Sequence, residues 1–152
     1  MLEKEIVIHE VTVNDIDGII KVLKSTKLDD DAWNENERFV RENILNYGRQ
    51  NQFIALVAEL NSSIVGFVVC AVYPSFWECQ KQGFIIDLFV SEPSQSKGVG
   101  SELLKAVIAR ATSEKIIELH VSTELKNAKA QKLYRKLGFT NEHLLLKRFQ
   151  TN

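Results

Sequence analysis

A chain of 152 residues that is 45% hydrophobic can bury one substantial core, so a single domain spanning 1–152 is expected. Lys and Arg number 19 against 20 for Asp and Glu, which leaves no overall field for nucleic acid or an anionic membrane and makes any anion site a local one. Cys70 and Cys79 stand without CxxC spacing or a secretory leader, and the longest apolar run, IVGFVVCAVY, is about half the ~20 residues of a membrane helix. A soluble cytoplasmic protein with two free thiols is the expectation.

In chain order, EIVIHEV at 5–11 alternates as a strand does, and Thr12 followed by Asp15 reads as a capping box before the helix DIDGIIKVLKS. The segment LDDDAWNENERFVRENILNYG carries Phe39, Val40, Ile44, Leu45 and Tyr47 near helical spacing, with Gly48 as its stop. FIALVAEL and IVGFVVCAVY, joined by a short polar turn, read as an antiparallel hairpin whose second strand ends at Pro74. A fourth strand follows over 84–90, within GFIIDLFV. SELLKAVIARATSEK is a third helix, IIELHVS a fifth strand, and NAKAQKLYRKLG a fourth helix closed by Gly138. The tail HLLLKRF fits one or two last strands. The order predicts an α/β (α+β) fold, with about four helices and a mixed, mainly antiparallel sheet of six to seven strands that ends in a parallel crossover.

Between the fourth strand and the third helix lies SEPSQSKGVGSELLKAV. A helix opening just after Gly98 and Gly100 presents unpaired N–H groups and the positive end of its dipole, an arrangement that attracts phosphate. Two nucleotide motifs fail on details. Lys97 precedes Gly98, whereas a Walker A loop places its lysine after the glycine. Leu103 occupies the position of the third dinucleotide-fold glycine, although Glu118 falls near the right distance.

What remains is Q-x-x-G-x-G, from Gln95, Gly98 and Gly100, followed at the right separation by NAKAQKLYRKLGF, which matches N-x-x-A-x-x-L-Y-x-K-x-G-F. On these two linked motifs and the DLFV strand the chain resembles the GNAT family of N-acetyltransferases. The resemblance implies that the main-chain amides of Gln95, Ser96, Lys97, Gly98, Val99, Gly100 and Ser101 wrap the diphosphate of acetyl-CoA. It places the pantetheine arm beside Leu88, Phe89 and Val90, where the fourth and fifth strands part, and gives Asn127 a hydrogen bond to the same arm. It also implies direct attack of a primary amine on the thioester through a tetrahedral intermediate. A main-chain N–H near Phe89 or Val90 would stabilise the oxyanion, and Tyr134 would protonate the leaving thiolate.

Two positions depart from the family's commonest pattern. Many relatives read L-E-D-L-[YF]-V on this strand, and Ile86 stands where the glutamate would be, leaving Asp87 as the candidate base. Ser96 replaces a glycine, so a Cβ constrains φ in the turn.

Candidate acceptor contacts are the acidic run DDDAWNENE with Trp33, and the aromatic loop YPSFWECQKQ with Phe76 and Trp77; both suit an ammonium group. Small amines such as polyamines, diamines or amino acids are the expected acceptors. His9, His120 and His143 form no ligand cluster by spacing, so no metal is expected, and His120 is a second candidate base acting through water. Lys126, Lys129, Lys132, Arg135 and Lys136 read as a solvated helix face or a contact for CoA phosphate, not as a nucleic-acid surface. The alternatives to a small-molecule enzyme are an acyl-CoA sensor without turnover and a protein N-acetyltransferase. An exposed strand edge at HLLLKRF would suit a homodimer.

Overall fold

A computed structural model describes residues 5–26, 33–49 and 52–150. The strands are β1 (Val7–Glu10), β2 (Phe53–Leu60), β3 (Ser63–Ser75), β4 (Gln80–Val90) and β5 (Ile116–Val121). The helices are α1 (Ile16–Ser25), α2 (Trp33–Arg49), α3 (Val99–Ser113) and α4 (Ala128–Lys136). The sheet order is β1-β2-β3-β4-β5, antiparallel throughout except for the parallel β4–β5 pair.

Alternation along β2 and β3 sends side chains to two separate cores. On one face Ala55, Val57, Phe67 and Val69 meet Ile16, Ile19, Ile20, Val22 and Leu23 of α1. On the other, Ile54, Leu56, Val68, Cys70 and Ile85 meet Val99, Leu103, Leu104 and Val107 of α3. The sheet is therefore covered on both faces, and near-continuous apolar runs in its central strands are the sequence trace of that burial. Asp15 closes the entrance to α1: its Oδ2 accepts from the Thr12 main-chain N–H at 2.7 Å and from Thr12 Oγ1 at 2.8 Å, as the capping signature predicts.

Four expectations need correction. The sheet has five strands, not six to seven, because the tail from Thr140 to Gln150 makes no ladder and is exposed along its whole length. Pro74 does not end β3, which runs on to Ser75 with Pro74 opposite Lys81. That is tolerated because β2 begins at Phe53 opposite Ala71, so the missing proline N–H faces a side where β2 is absent. Gly48 does not stop α2, which continues to Arg49. Phe39, assigned to the apolar stripe of that helix, is exposed. The acidic residues 29–31 lie outside the described residues.

Two irregularities shape the site. The β3–β4 register passes from Val69 opposite Asp87 to Cys70 opposite Ile85, leaving Ile86 as an unpaired bulge residue, 43% exposed. The β4–β5 ladder covers only Lys81 to Ile85 of β4. Beyond Ile85, among the described residues, β4 has no neighbour on that side.

Candidate active site

The open part of β4, from Ile86 to Val90, presents alternate main-chain groups to the gap. The Ser91 N–H donates to the Val65 carbonyl at 2.8 Å, and the Phe89 carbonyl lies 2.9 Å from a Cβ built on Gly66, so residues 89 and 91 turn toward β3. Leu88 and Val90 then turn toward the gap. Gln95 reaches back to this edge, its Nε2 donating to the Val90 carbonyl at 3.3 Å.

The chain leaves β4 through Ser91, makes a 3-10 turn over Glu92–Ser94 with Pro93 inside it, and enters α3 through Gln95 to Gly98. Ser96 and Gly98 both adopt left-handed backbone, at φ 63° and 87°. The first α3 hydrogen bond runs from the Glu102 N–H to the Gly98 carbonyl at 3.0 Å, and helix geometry leaves the N–H groups before Glu102 without intrahelical acceptors. Val99 is buried and pins the turn to the core, whereas Gln95, Ser96 and Lys97 are exposed. A Cβ built on Gly98 meets nothing within 4 Å, and one on Gly100 meets only Leu133 Cδ2 at 3.5 Å and Val90 Cγ2 at 3.7 Å. The space beside Gly98 is thus open to solvent, and the N–H groups at the start of α3 that lack intrahelical acceptors suit an anion.

The helix α4 packs beside this turn. Leu133, Tyr134, Leu137 and Phe139 join the α3-side core, and Tyr134 meets Phe139 edge to face, ring centroids 6.0 Å apart. No group among the described residues hydrogen-bonds the Tyr134 hydroxyl, and burial raises its pKa. Asn127 caps α4, its Oδ1 accepting from the Ala130 N–H at 3.1 Å. Asn is a preferred N-cap residue, so its place just before the amphipathic segment 128–136 is the sequence signal for this cap, which leaves the Asn127 side-chain NH₂ for other partners.

Asp87 shares the α1 side of the sheet with Val69, opposite which it sits. It is half-buried with no ion pair among the described residues, and burial raises its pKa. Farther along the same side, His120 of β5 lies opposite Phe84, with ring centroids 6.3 Å apart and 18° between planes. The His120 Nε2 atom is buried without a hydrogen-bond partner, and Glu118 Oε1 lies 3.4 Å away outside hydrogen-bonding geometry. Glu118 also accepts from Gln82 Nε2 at 3.4 Å. Sequence spacing gave no hint of this β4–β5 polar strip, because it depends on register. Phe76 and Trp77, at the β3–β4 turn, are 90% and 92% exposed. Among the described residues no group of three or more His, Cys, Asp or Glu is placed to hold a metal, and no helix is long and apolar enough to cross a membrane.

The glycine turn before α3, the parted strands and the packed Tyr134 are all present in this chain, and the acetyltransferase (GNAT) family model matches residues 20–139. The chain belongs to the GNAT family. An N-alpha-acetyltransferase of Sulfolobus acidocaldarius is 29% identical over 147 residues, covering 91% of this chain and 82% of that protein. The spermine/spermidine N(1)-acetyltransferase of Bacillus subtilis is 33% identical over 79 residues, covering 50% of this chain and 52% of that protein. The chain spans 33% of one further N-alpha-acetyltransferase and 52% of a D-amino-acid N-acetyltransferase. In fold, an aminoglycoside acetyltransferase from an uncultured soil metagenomic sample superposes with a TM-score of 0.76 at 22% identity, over 97% of each chain.

Proposed function

We propose that this GNAT chain transfers the acetyl group of acetyl-CoA to the primary amine of a small molecule. The observation that carries the reading is the coincidence, on one edge of β4, of a main-chain anion cradle at residues 95–101 and unpaired strand groups at Leu88 and Val90. The cradle amides would hold the diphosphate, and the open strand edge, with Asn127 across the gap, would hold the amide-rich arm. Acetyl-CoA supplies an acetyl group activated as a thioester.

Each remaining demand of the chemistry falls on a residue of this chain. The attacking amine must lose its proton, and Asp87, beside the bulge at Ile86, accepts it directly or through water. Partial burial suits that role, because a raised pKa makes the carboxylate a stronger base. The Val90 N–H, facing the gap, is the oxyanion donor favoured over that of Phe89, which faces β3; one such donor is commonly worth ~3 kcal/mol. Tyr134 donates the proton that the thiolate needs, and its raised pKa keeps it protonated at neutral pH.

The polyamine-acetylating relative favours a small cationic amine as the acceptor. A protein N-terminus is the second reading, favoured by the archaeal N-alpha-acetyltransferase that covers 91% of this chain. Release of free CoA, measured across polyamines, diamines, amino acids, aminoglycosides and short peptides, separates the two. Turnover confined to peptides would replace the first reading by the second, and silence across the whole panel with intact acetyl-CoA binding would leave an acyl-CoA sensor.

A further inference from the structure

The core on the α1 side of the sheet covers only part of that face. It takes in Val69 of β3 and Phe89 of β4 and goes no farther toward the β3–β4 turn. Beyond it, pairing sets Tyr73 opposite Gln82, Gln82 opposite Glu118, and Phe84 opposite His120. Tyr73, Ala71 and Val69 alternate onto one face of β3, so their partners Gln82, Phe84 and Asp87 share that face across the bulge at Ile86. Neither Tyr73 nor Phe84 joins either core, and both Tyr73 and Glu118 are exposed. One strip therefore runs from Asp87, in the part of β4 that β5 leaves unpaired, to Glu118.

Both ends of the strip are acidic and its middle is aromatic. Among the described residues Glu118 pairs with no Lys or Arg: it accepts from Gln82 Nε2 at 3.4 Å and lies 3.4 Å from His120 Nε2, which is buried without a hydrogen-bond partner. Partial burial and then the field of Glu118 raise the pKa of the Tyr73 hydroxyl, as expected of two groups at one end of the strip. Between the ends, the half-buried Phe84 ring lies over His120. Two carboxylates without a fixed cation, with aromatic surface between them, suit a ligand that brings positive charge to both ends.

We infer that Glu118, with Tyr73 and Phe84, forms a second cation subsite, and that the acceptor is a linear amine carrying a further ammonium group beyond the one acetylated. The inference rests on the proposed acetyl transfer and narrows its acceptor. Asp87 sits opposite Val69 and Gln82 opposite Tyr73, so the two ends of the strip are four β3 residues apart, or ~13 Å at the rise of a strand. With the reacting nitrogen at Asp87, a second nitrogen spaced about that far along the chain meets Glu118, and the methylenes between them lie along Phe84. A monoamine leaves Glu118 to water, and a short diamine does not reach it. An amine that ends in a carboxylate brings like charge to Glu118 and is rejected.

Initial rates of the full chain on linear diamines of increasing length, each matched with the monoamine of the same length, test the subsite. Among the diamines kcat/KM should peak where the nitrogens are roughly 13 Å apart. There it should exceed that of the matched monoamine about tenfold, an advantage that added salt reduces. Glu118→Gln, a change at an exposed side chain, should cost the long diamine about tenfold more than the monoamine, mainly in KM. Calorimetric titration of the CoA-loaded chain with a diamine of that span needs no turnover, and the same substitution should weaken its Kd by a similar factor. Equal kcat/KM for the diamine and its monoamine, or an equal loss on both in Glu118→Gln, would overturn the subsite and leave acetyl transfer standing. Glu118-dependent binding of the diamine with no amine turned over would uphold the subsite and overturn acetyl transfer; failure of every diamine to bind would overturn the subsite.

Discussion

Gln95 Nε2 donates to the Val90 carbonyl at 3.3 Å, so the first residue of the anion cradle closes the open edge of β4. Anything that pairs with that edge must displace this side chain. In the proposed cofactor site the two halves would thereby be linked: occupation of the strand edge would release Gln95, whose own main-chain N–H belongs to the turn. A Gln95→Ala variant keeps the main-chain amide and removes the competitor. Because an exposed neutral hydrogen bond is worth ~1 kcal/mol net, acetyl-CoA should bind up to about fivefold more tightly. Calorimetric titration gives the answer, and a markedly weaker Kd would mean that the side chain itself holds the ligand.

The turn stores strain at a position where glycine would have none. Ser96 sits at φ 63°, in the left-handed region that costs a non-glycine residue ~1 kcal/mol. Ser96→Gly should therefore raise stability slightly or leave it level, relief of strain being offset by a freer unfolded chain. Gly98 is the converse case. At φ 87° with open space around a built Cβ, Gly98→Ala should cost ~1–2 kcal/mol through backbone strain alone. Gly100, with ordinary φ and contacts of 3.5 and 3.7 Å, should accept alanine with a smaller loss. Urea midpoints for the three variants rank them, and equal losses for Gly98→Ala and Gly100→Ala would show that conformation is not what glycine supplies at position 98.

Much of this geometry was legible in the residues. The glycines and the loss of apolar character after Val90 announce the turn, and the apolar patterning gives the strand before it and the helix after it. What was not legible depends on partners far away in sequence. Ile86 looks like any strand residue, and only its pairing against Val69 and Cys70 reveals a bulge. Leu144 to Leu146 read as a strand by composition, yet a strand exists only where a neighbour pairs with it, and these residues join no ladder. Pro74 reads as a terminator because its missing N–H is lethal in a central ladder; at the end of a hairpin that outruns β2 it is harmless.

Burial of Asp87 links stability to activity with opposite signs. Its folded pKa lies above the unfolded one, so its contribution to stability is complete below the ordinary carboxylate pKa and is lost as pH rises through the raised value. Asp87→Asn removes that loss. The variant should melt at the same temperature as the native chain in acid and above it at neutral pH, with the difference opening across the window between the ordinary and the raised pKa. Activity should move the other way. With Asp87 as the proposed base, kcat/KM of the native chain should rise as Asp87 deprotonates, and the substitution should remove that limb of the profile together with about 100-fold of rate. An unchanged profile would transfer the base to His120, whose buried Nε2 lacks a partner.

Tyr134 separates catalysis from packing more cleanly than any other residue, because its ring and its hydroxyl do different things. The ring belongs to the core, set against Phe139 and the α3-side cluster, while no group among the described residues holds the hydroxyl. Tyr134→Phe keeps every ring contact and should leave the melting temperature within a degree or two, whereas Tyr134→Ala should lose several kcal/mol, on the order of 3, by emptying the site. If the hydroxyl protonates the thiolate, Tyr134→Phe should lower kcat about 100-fold with little change in KM for acetyl-CoA, since the proton moves only after binding. A further signature follows from chemistry: an acyl donor whose thiol is more acidic than that of CoA leaves without help, so the defect should shrink with such a donor. A defect of the same size for both donors would make Tyr134 a packing residue, and a defect confined to KM would make it a binding one.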